Sequence, residues 1–295
     1  MEQGECRLRV LIDKPVTCLV ILALLLASFS FFFQPLSPFS SIAHRGASAY
    51  APENTMAAFH KAVELGFDYI EFDVRLSKDE ELVVIHDPTV MRTTDGEGFV
   101  EELTAEELKR LDAGAWFDSL FEGERIPLLS EVIEEFGDKI GLLIELKSPE
   151  ENGIMSKKLA QLLQASFNLG LDPTTIKVQS FYPQELQRFS SLCPDVSVGV
   201  VVSKTLNMLH LASYRNFASF ISIHQQYISK AFMQQAKIFD FEVYSWTIKK
   251  QRQFMAMQSL SVNGIISDLE QKETNGTQLL TALFIKGHLF FRTFV

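Results

Sequence analysis

YIEFDVRLSKDEELVVIHD, Tyr69 to Asp87, decides how the rest of the chain is read. Tyr69–Val74 and Leu82–His86 are apolar runs with strand character, and only Arg75 to Glu81 separates them. That gap is too short for a crossover helix, so the two runs predict a hairpin. Within the first run Glu71 and Asp73 stand at i and i+2, which a strand places on one side. The second run delivers an imidazole, His86, at its tip.

Outward from this hairpin, further strand candidates are Ile42–His44, Ile140–Lys147, Thr175–Phe181, Val196–Val202, Ser219–His224, Phe241–Thr247 and Gly264–Ser267. Helical patterns fall between many of them, as at Thr55 to Leu65 and Ser229 to Phe239. Strands alternating with helices over about 250 residues predict an α/β fold, a (β/α)8 barrel to which the hairpin adds one surplus strand. Residues 88–126 contain no clear strand and read as an insertion with one helix, Thr104 to Leu111, opened by the Thr104 and Glu107 capping-box pair. This stretch and its sequel are acidic and read as solvated.

The chain has 295 residues and is 47% hydrophobic, enough for a sizeable core. It carries 37 acidic against 27 basic residues, a balance that argues against a nucleic-acid binder. Cys6, Cys18 and Cys193 are its only cysteines, which excludes a disulfide framework and a Cys-rich zinc site.

Val16 to Phe33 is a run of eighteen residues without a charge. As a helix it would be roughly 27 Å long, close to the hydrocarbon thickness of a bilayer. Arg7, Arg9 and Lys14 precede it while residues 34–41 carry no charge, so the expected topology is single-pass with everything after Phe33 on the extracytoplasmic side. A cleaved signal is the alternative, but the run ends in Phe31-Phe32-Phe33 and not in small residues. The expected organisation is a cytoplasmic terminus at 1–15, an anchor at 16–33, a Pro/Ser spacer at 34–41, the barrel at 42–270 and a closing or membrane-interfacial helix at 271–295.

Polar groups concentrate at strand tips. Ala43-His44-Arg45-Gly46 ends one strand with an imidazole and a guanidinium; Glu145-Leu146-Lys147 puts a carboxylate and an ammonium on one face of another. In a barrel, the C-terminal ends of strands are where active sites form. Glu71, Asp73 and Glu145 are hard oxygen ligands without a thiolate partner, which suits Ca²⁺ or Mg²⁺ better than zinc. Arg45 offers a fork matched to phosphate oxygens and Lys147 a point charge. His44 and His86 are candidate acid–base groups, and together these describe metal-assisted phosphodiester cleavage. Taken singly each has a plainer reading: a structural histidine, an exposed carboxylate pair, a lysine that neutralises Glu145. Four polar clusters interrupting apolar strands by accident is a poor account of the set.

His44-Arg45-Gly46, Pro52-Glu53-Asn54-Thr55, Glu71-Phe72-Asp73-Val74, Ile85-His86-Asp87 and Glu145-Leu146-Lys147, followed by Tyr244-Ser245-Trp246-Thr247 and Asn263 to Asp268, resemble the glycerophosphodiester phosphodiesterase family, in order, over about residues 42 to 269. The resemblance implies a distorted TIM-type barrel with a small insertion, a divalent cation on Glu71, Asp73 and Glu145, and general acid–base roles for His44 and His86. It further implies phosphate contacts from Arg45 and Lys147, and Trp246 packed on the glycerol side. The implied reaction is hydrolysis of a glycerophosphodiester to glycerol 3-phosphate and an alcohol. The alternative substrate class for the same site, given the anchor, is a lysophospholipid or a polymeric glycerophosphate. Asn54 or Thr55 is expected to cap the following helix, and Gly46 to permit a tight turn. Asp87 either orients His86 or begins the Asp-Pro turn. His60, His210, His224 and His288 have no partner sets and read as structural.

Overall fold

The computed structural model describes residues 39–147 and 153–268. The hairpin proves to be the surplus element. β2 (Tyr69–Leu76) pairs in antiparallel fashion with the short β3 (Leu82–Val84), through Val74–Val84, Arg75–Val83 and Leu76–Leu82. The other strands are parallel: β1 (Ser40–His44), β4 (Gly141–Leu146), β5 (Ile176–Ser180), β6 (Ser197–Val202), β7 (Phe220–His224), β8 (Glu242–Ile248) and β9 (Gly264–Ser267). They follow the order β1-β2-β4-β5-β6-β7-β8-β9, and β9 returns to β1, so eight strands close a TIM-type barrel.

Alternation along the strands sorts the core into two layers. On β2, Ile70, Phe72 and Val74 face outward into the main apolar cluster beneath the helices, which also holds Ile144, Leu146, Val178 and Val200. A second, inner cluster of Ile42, Leu143, Phe220, Tyr244 and Ile266, with Tyr69 against it, plugs the barrel floor. Phe220 and Tyr244 stack there with ring centroids 4.8 Å apart. Glycine makes the room: a Cβ on Gly199 would come within 2.0 Å of the Phe220 ring.

The helices start where the sequence caps them. Thr55 accepts from the Ala58 amide at the head of α1 (Met56–Glu64). In the inserted segment the Thr104 and Glu107 capping box opens α2, which spans only Ala105–Leu108 and not the longer stretch to Leu111. Its last turns tighten into Arg110→Glu107 and Leu111→Leu108 bonds, and the chain then reverses around Asp112. The remaining helices are α3 (Leu129–Phe136), α4 (Ile154–Asn168), α5 (Pro183–Leu192), α6 (Met208–Tyr214), α7 (Lys230–Ile238) and α8 (Gln251–Ser259). Ser229 caps α7 by accepting from the Phe232 amide.

Two further expectations need correction. The stretch 88–126 is not simply solvated: Val90, Val100, Ala105, Leu108, Ala113 and Ile126 bury themselves against Val83 and Ile85 in a small core of their own. β1 begins at Ser40 and not Ile42, because the Ser40 amide donates to Asn263 O at 2.8 Å and Ser41 is held by Asp68. The expected cytoplasmic terminus 1–15, anchor 16–33, spacer residues 34–38 and tail 271–295 lie outside the described residues. Among the described residues no helix is long and apolar enough to cross a membrane.

Candidate active site

Strand register brings the polar tips together. β1 and β2 set His44 beside Glu71, β2 and β4 set Asp73 beside Glu145, and β4 and β5 set Glu145 beside Gln179. All of these side chains, with Arg45, His86, Lys147 and Trp246, line one cavity of about 260 Å³ at the C-terminal mouth of the barrel. The eight residues singled out from the sequence therefore share one hollow.

Glu71, Asp73 and Glu145 are buried, and one carboxylate oxygen from each lies within 4.8 Å of the others. The surroundings hold them in place. Arg45 N donates to Glu71 at 2.9 Å, Asn54 Nδ2 to Asp73 at 2.9 Å, and Gln179 Nε2 to Glu145 at 3.1 Å. Lys147 Nζ lies 3.0 Å from Asp73 Oδ1 and also contacts Glu145, while Arg45 Nε lies 3.3 Å from Asp73 Oδ2.

The electrostatics differ among the three. Burial, then the charges of Asp73 and Glu145, push the Glu71 carboxyl well above its ordinary range. Burial also raises Glu145, against the pull of Lys147. For Asp73 burial acts the same way, but Lys147 and Arg45 outweigh it and keep the group far below the usual carboxylate range. Three buried carboxylates crowded together, with only oxygen donors among them, fit a hard divalent cation.

Each histidine has a carboxylate behind it. His44 Nδ1 lies 2.7 Å from Asp268 Oδ1, and His86 Nδ1 lies 2.7 Å from Asp87 Oδ1. An ionised carboxylate only accepts, so Nδ1 carries the proton in both rings and Nε2 is left for chemistry. Asp87 therefore orients His86. His86 sits in the loop just beyond β3, pinned by Arg75 Nε donating to its carbonyl at 2.8 Å. Burial, reinforced by Lys147 and Arg45 and opposed by Asp73, lowers the His86 pKa below its ordinary value.

Tight backbone lets these groups converge. Gly46 has φ +78° and Asn54 φ +59°. A Cβ on Gly46 would approach the Ala58 backbone within 2.9 Å, so the loop after β1 can fold onto α1 only with glycine there. Thr55, not Asn54, is the helix cap; Asn54 turns instead to brace Asp73, which also donates its own amide to Asn54 Oδ1 at 3.2 Å.

Trp246 lines the cavity edge-on to Phe181 and His224, with centroids 5.9 and 5.1 Å away. Its buried Nε1 has no hydrogen-bond partner among the described residues. His224 thus supports Trp246, while His210 serves in the α6 cap and His60 lies on the surface against Phe136. His288 lies outside the described residues. The sequence reading gave no role to Glu53, Gln179, Phe181, Lys249 or Asp268, although Glu53 and Asp268 stood inside quoted motifs.

A closed barrel with acidic, basic and imidazole groups converging at its mouth defines a hydrolase site for a phosphate ester. The Glycerophosphoryl diester phosphodiesterase family profile matches residues 44–270, and the chain belongs to that family and is a phosphodiesterase. Similar proteins include YhdW of Bacillus subtilis (strain 168), provisionally named a glycerophosphodiester phosphodiesterase, 42% identical over 77% of this chain and 93% of its own. A glycerophosphodiester phosphodiesterase of Caldanaerobacter subterraneus is 39% identical over 77% of this chain and 93% of its own. Among solved structures, an Oleispira antarctica phosphodiesterase in complex with the product sn-glycerol-3-phosphate is similar with a TM-score of 0.72. It is 31% identical and covers 80% of this chain and 94% of its own.

Proposed function

We propose that the chain hydrolyses glycerophosphodiesters to glycerol 3-phosphate and an alcohol, with Ca²⁺ or Mg²⁺ held by Glu71, Asp73 and Glu145. The observation that carries this reading is the shared cavity: three buried carboxylates within 4.8 Å, beside Arg45, Lys147 and two Asp-backed imidazoles. The product bound in the Oleispira antarctica relative supports the substrate class. A cation there would supply Lewis-acid polarisation of a phosphoryl oxygen.

The chain's own groups do the rest. Arg45 and Lys147 orient the phosphodiester, and Trp246 packs against its glycerol end. One imidazole takes a proton from the attacking glycerol hydroxyl through Nε2. The other, entering the step as imidazolium with Nδ1 held by its carboxylate, gives its Nε2 proton to the alcohol oxygen as the bond to phosphorus breaks. Water then opens the cyclic phosphate with the proton roles reversed. The uncharged run Val16–Phe33 belongs to the same proposal, as an anchor that holds the barrel on the extracytoplasmic face.

The test is release of glycerol 3-phosphate from glycerophosphocholine. His44→Ala and His86→Ala should each lower it by at least ~10²-fold. Undiminished release in either variant would remove that histidine from the reaction.

A further inference from the structure

The insertion sends one side chain back toward the site. Arg92 Nη1 and Nη2 donate to the two oxygens of Glu53 at 2.9 and 2.8 Å, a bidentate fork. Its Nε donates to Asp87 Oδ2 at 2.5 Å. Each acceptor is already engaged with a cavity residue. Glu53 Oε1 also accepts from Arg45 Nη1 at 2.8 Å, and Asp87 Oδ1 accepts from His86 Nδ1 at 2.7 Å. One guanidinium thus ties together the carboxylates that hold the phosphate-facing arginine and the partly exposed imidazole.

We infer that Arg92 is a positioning residue of the phosphodiesterase reaction, fixing Arg45 through Glu53 and His86 through Asp87 so that phosphate grip and proton transfer are set together. This rests on the function proposed above. Arginine suits the task because its planar fork serves two carboxylates at once, which an ammonium on a flexible stem does not. Glu53 is mostly buried, with 14% of its side chain exposed, so its charge needs the partners it has. Burial raises its carboxyl, yet Arg92 and Arg45 outweigh that and hold it below the ordinary range. The Arg92 hydrogen bond, with help from His86, keeps Asp87 at about 2.

The inference also gives the inserted segment a purpose. Val90 and Val100 anchor it in the small core under Val83 and Ile85. That core places Arg92 two residues beyond Val90, within hydrogen-bond reach of Glu53 and Asp87. The insertion is thereby part of what shapes the site, although Arg92 itself does not line the cavity.

The experiment is steady-state hydrolysis of glycerophosphocholine by the full chain and by Arg92→Met, Arg92→Lys, Glu53→Gln and Asp87→Asn, with thermal midpoints for each. Arg92→Met should lower kcat and raise KM, each by about 10-fold, because both downstream groups lose their brace. Glu53→Gln should act mainly on KM and Asp87→Asn mainly on kcat. Arg92→Lys reaches one carboxylate at a time and should restore one constant but not both. The double variant Arg92→Met/Glu53→Gln should bind no worse than Arg92→Met alone. Kinetic constants of Arg92→Met or Arg92→Lys within twofold of the parent would overturn the inference, as would a lowered midpoint with unchanged constants. A parent enzyme that releases no glycerol 3-phosphate would instead defeat the proposed function; an active parent indifferent to Arg92 defeats this inference alone.

Discussion

Lys147 Nζ lies 3.0 Å from Asp73 Oδ1 and also contacts Glu145, so the ammonium pairs with two of the three clustered carboxylates. Removing it should leave Glu145 without its cationic partner and Asp73 with Arg45 alone. Lys147→Met is expected to cost about 3–5 kcal/mol of stability in chelator, the range for breaking a buried pair from one side. Added Ca²⁺ should recover part of that loss. Denaturant midpoints with chelator and with Ca²⁺ test it, and equal midpoints for parent and variant in chelator would contradict it.

The Asp268 carboxylate behind His44 fixes which ring nitrogen carries the proton. Asp268→Asn keeps the shape but can turn its NH₂ toward the ring and favour the other tautomer. kcat should fall about 10²-fold or more with little change in KM, as in other imidazole–carboxylate pairs. A kcat within a few-fold of the parent would show that His44 needs no such partner.

The pH profile should carry the mark of His86. Its pKa is lowered, burial being the largest cause, so the neutral imidazole persists to lower pH than in a free histidine. The kcat/KM limb belonging to His86 should therefore lie below about 6.5. Asp87 stabilises the imidazolium through its hydrogen bond, so Asp87→Asn should move that limb further toward acid. Movement toward alkali would reverse the assigned sign.

Gly46 combines φ +78° with a Cβ position within 2.7 Å of the Ala58 side chain. Gly46→Ala pays both conformational strain and a clash with helix backbone. A loss exceeding about 1 kcal/mol is expected, together with lower activity, since Arg45 is the adjacent residue. Thermal unfolding checks the first part, and a midpoint equal to the parent's would show that the loop yields.

Much of this was legible because parallel barrel strands are buried on both faces and read as apolar runs. Against that background Glu71, Asp73 and Glu145 stood out, and period-two geometry placed the first two together before any register was known. The hairpin was equally readable from the short Arg75–Glu81 gap. What escaped lies in loops and in partners distant along the chain. Asp268 meets His44 across 224 positions, and Arg92 meets Glu53 across 39; no local period encodes such pairs. The insertion misled for a related reason. Val90, Val100 and Ile126 fall on no strand or helix period in an acidic stretch, and the reversal around Asp112 helps gather them into a core.

A cation titration of the chelator-stripped enzyme, followed by glycerol 3-phosphate release from glycerophosphocholine, probes the carboxylate trio most directly. Activity should be absent in chelator and return with Ca²⁺ or Mg²⁺, and Glu71→Gln or Glu145→Gln should need far more cation or fail to recover. Full turnover in chelator, or recovery in both variants at the parent's cation concentration, would contradict a metal centre at these residues.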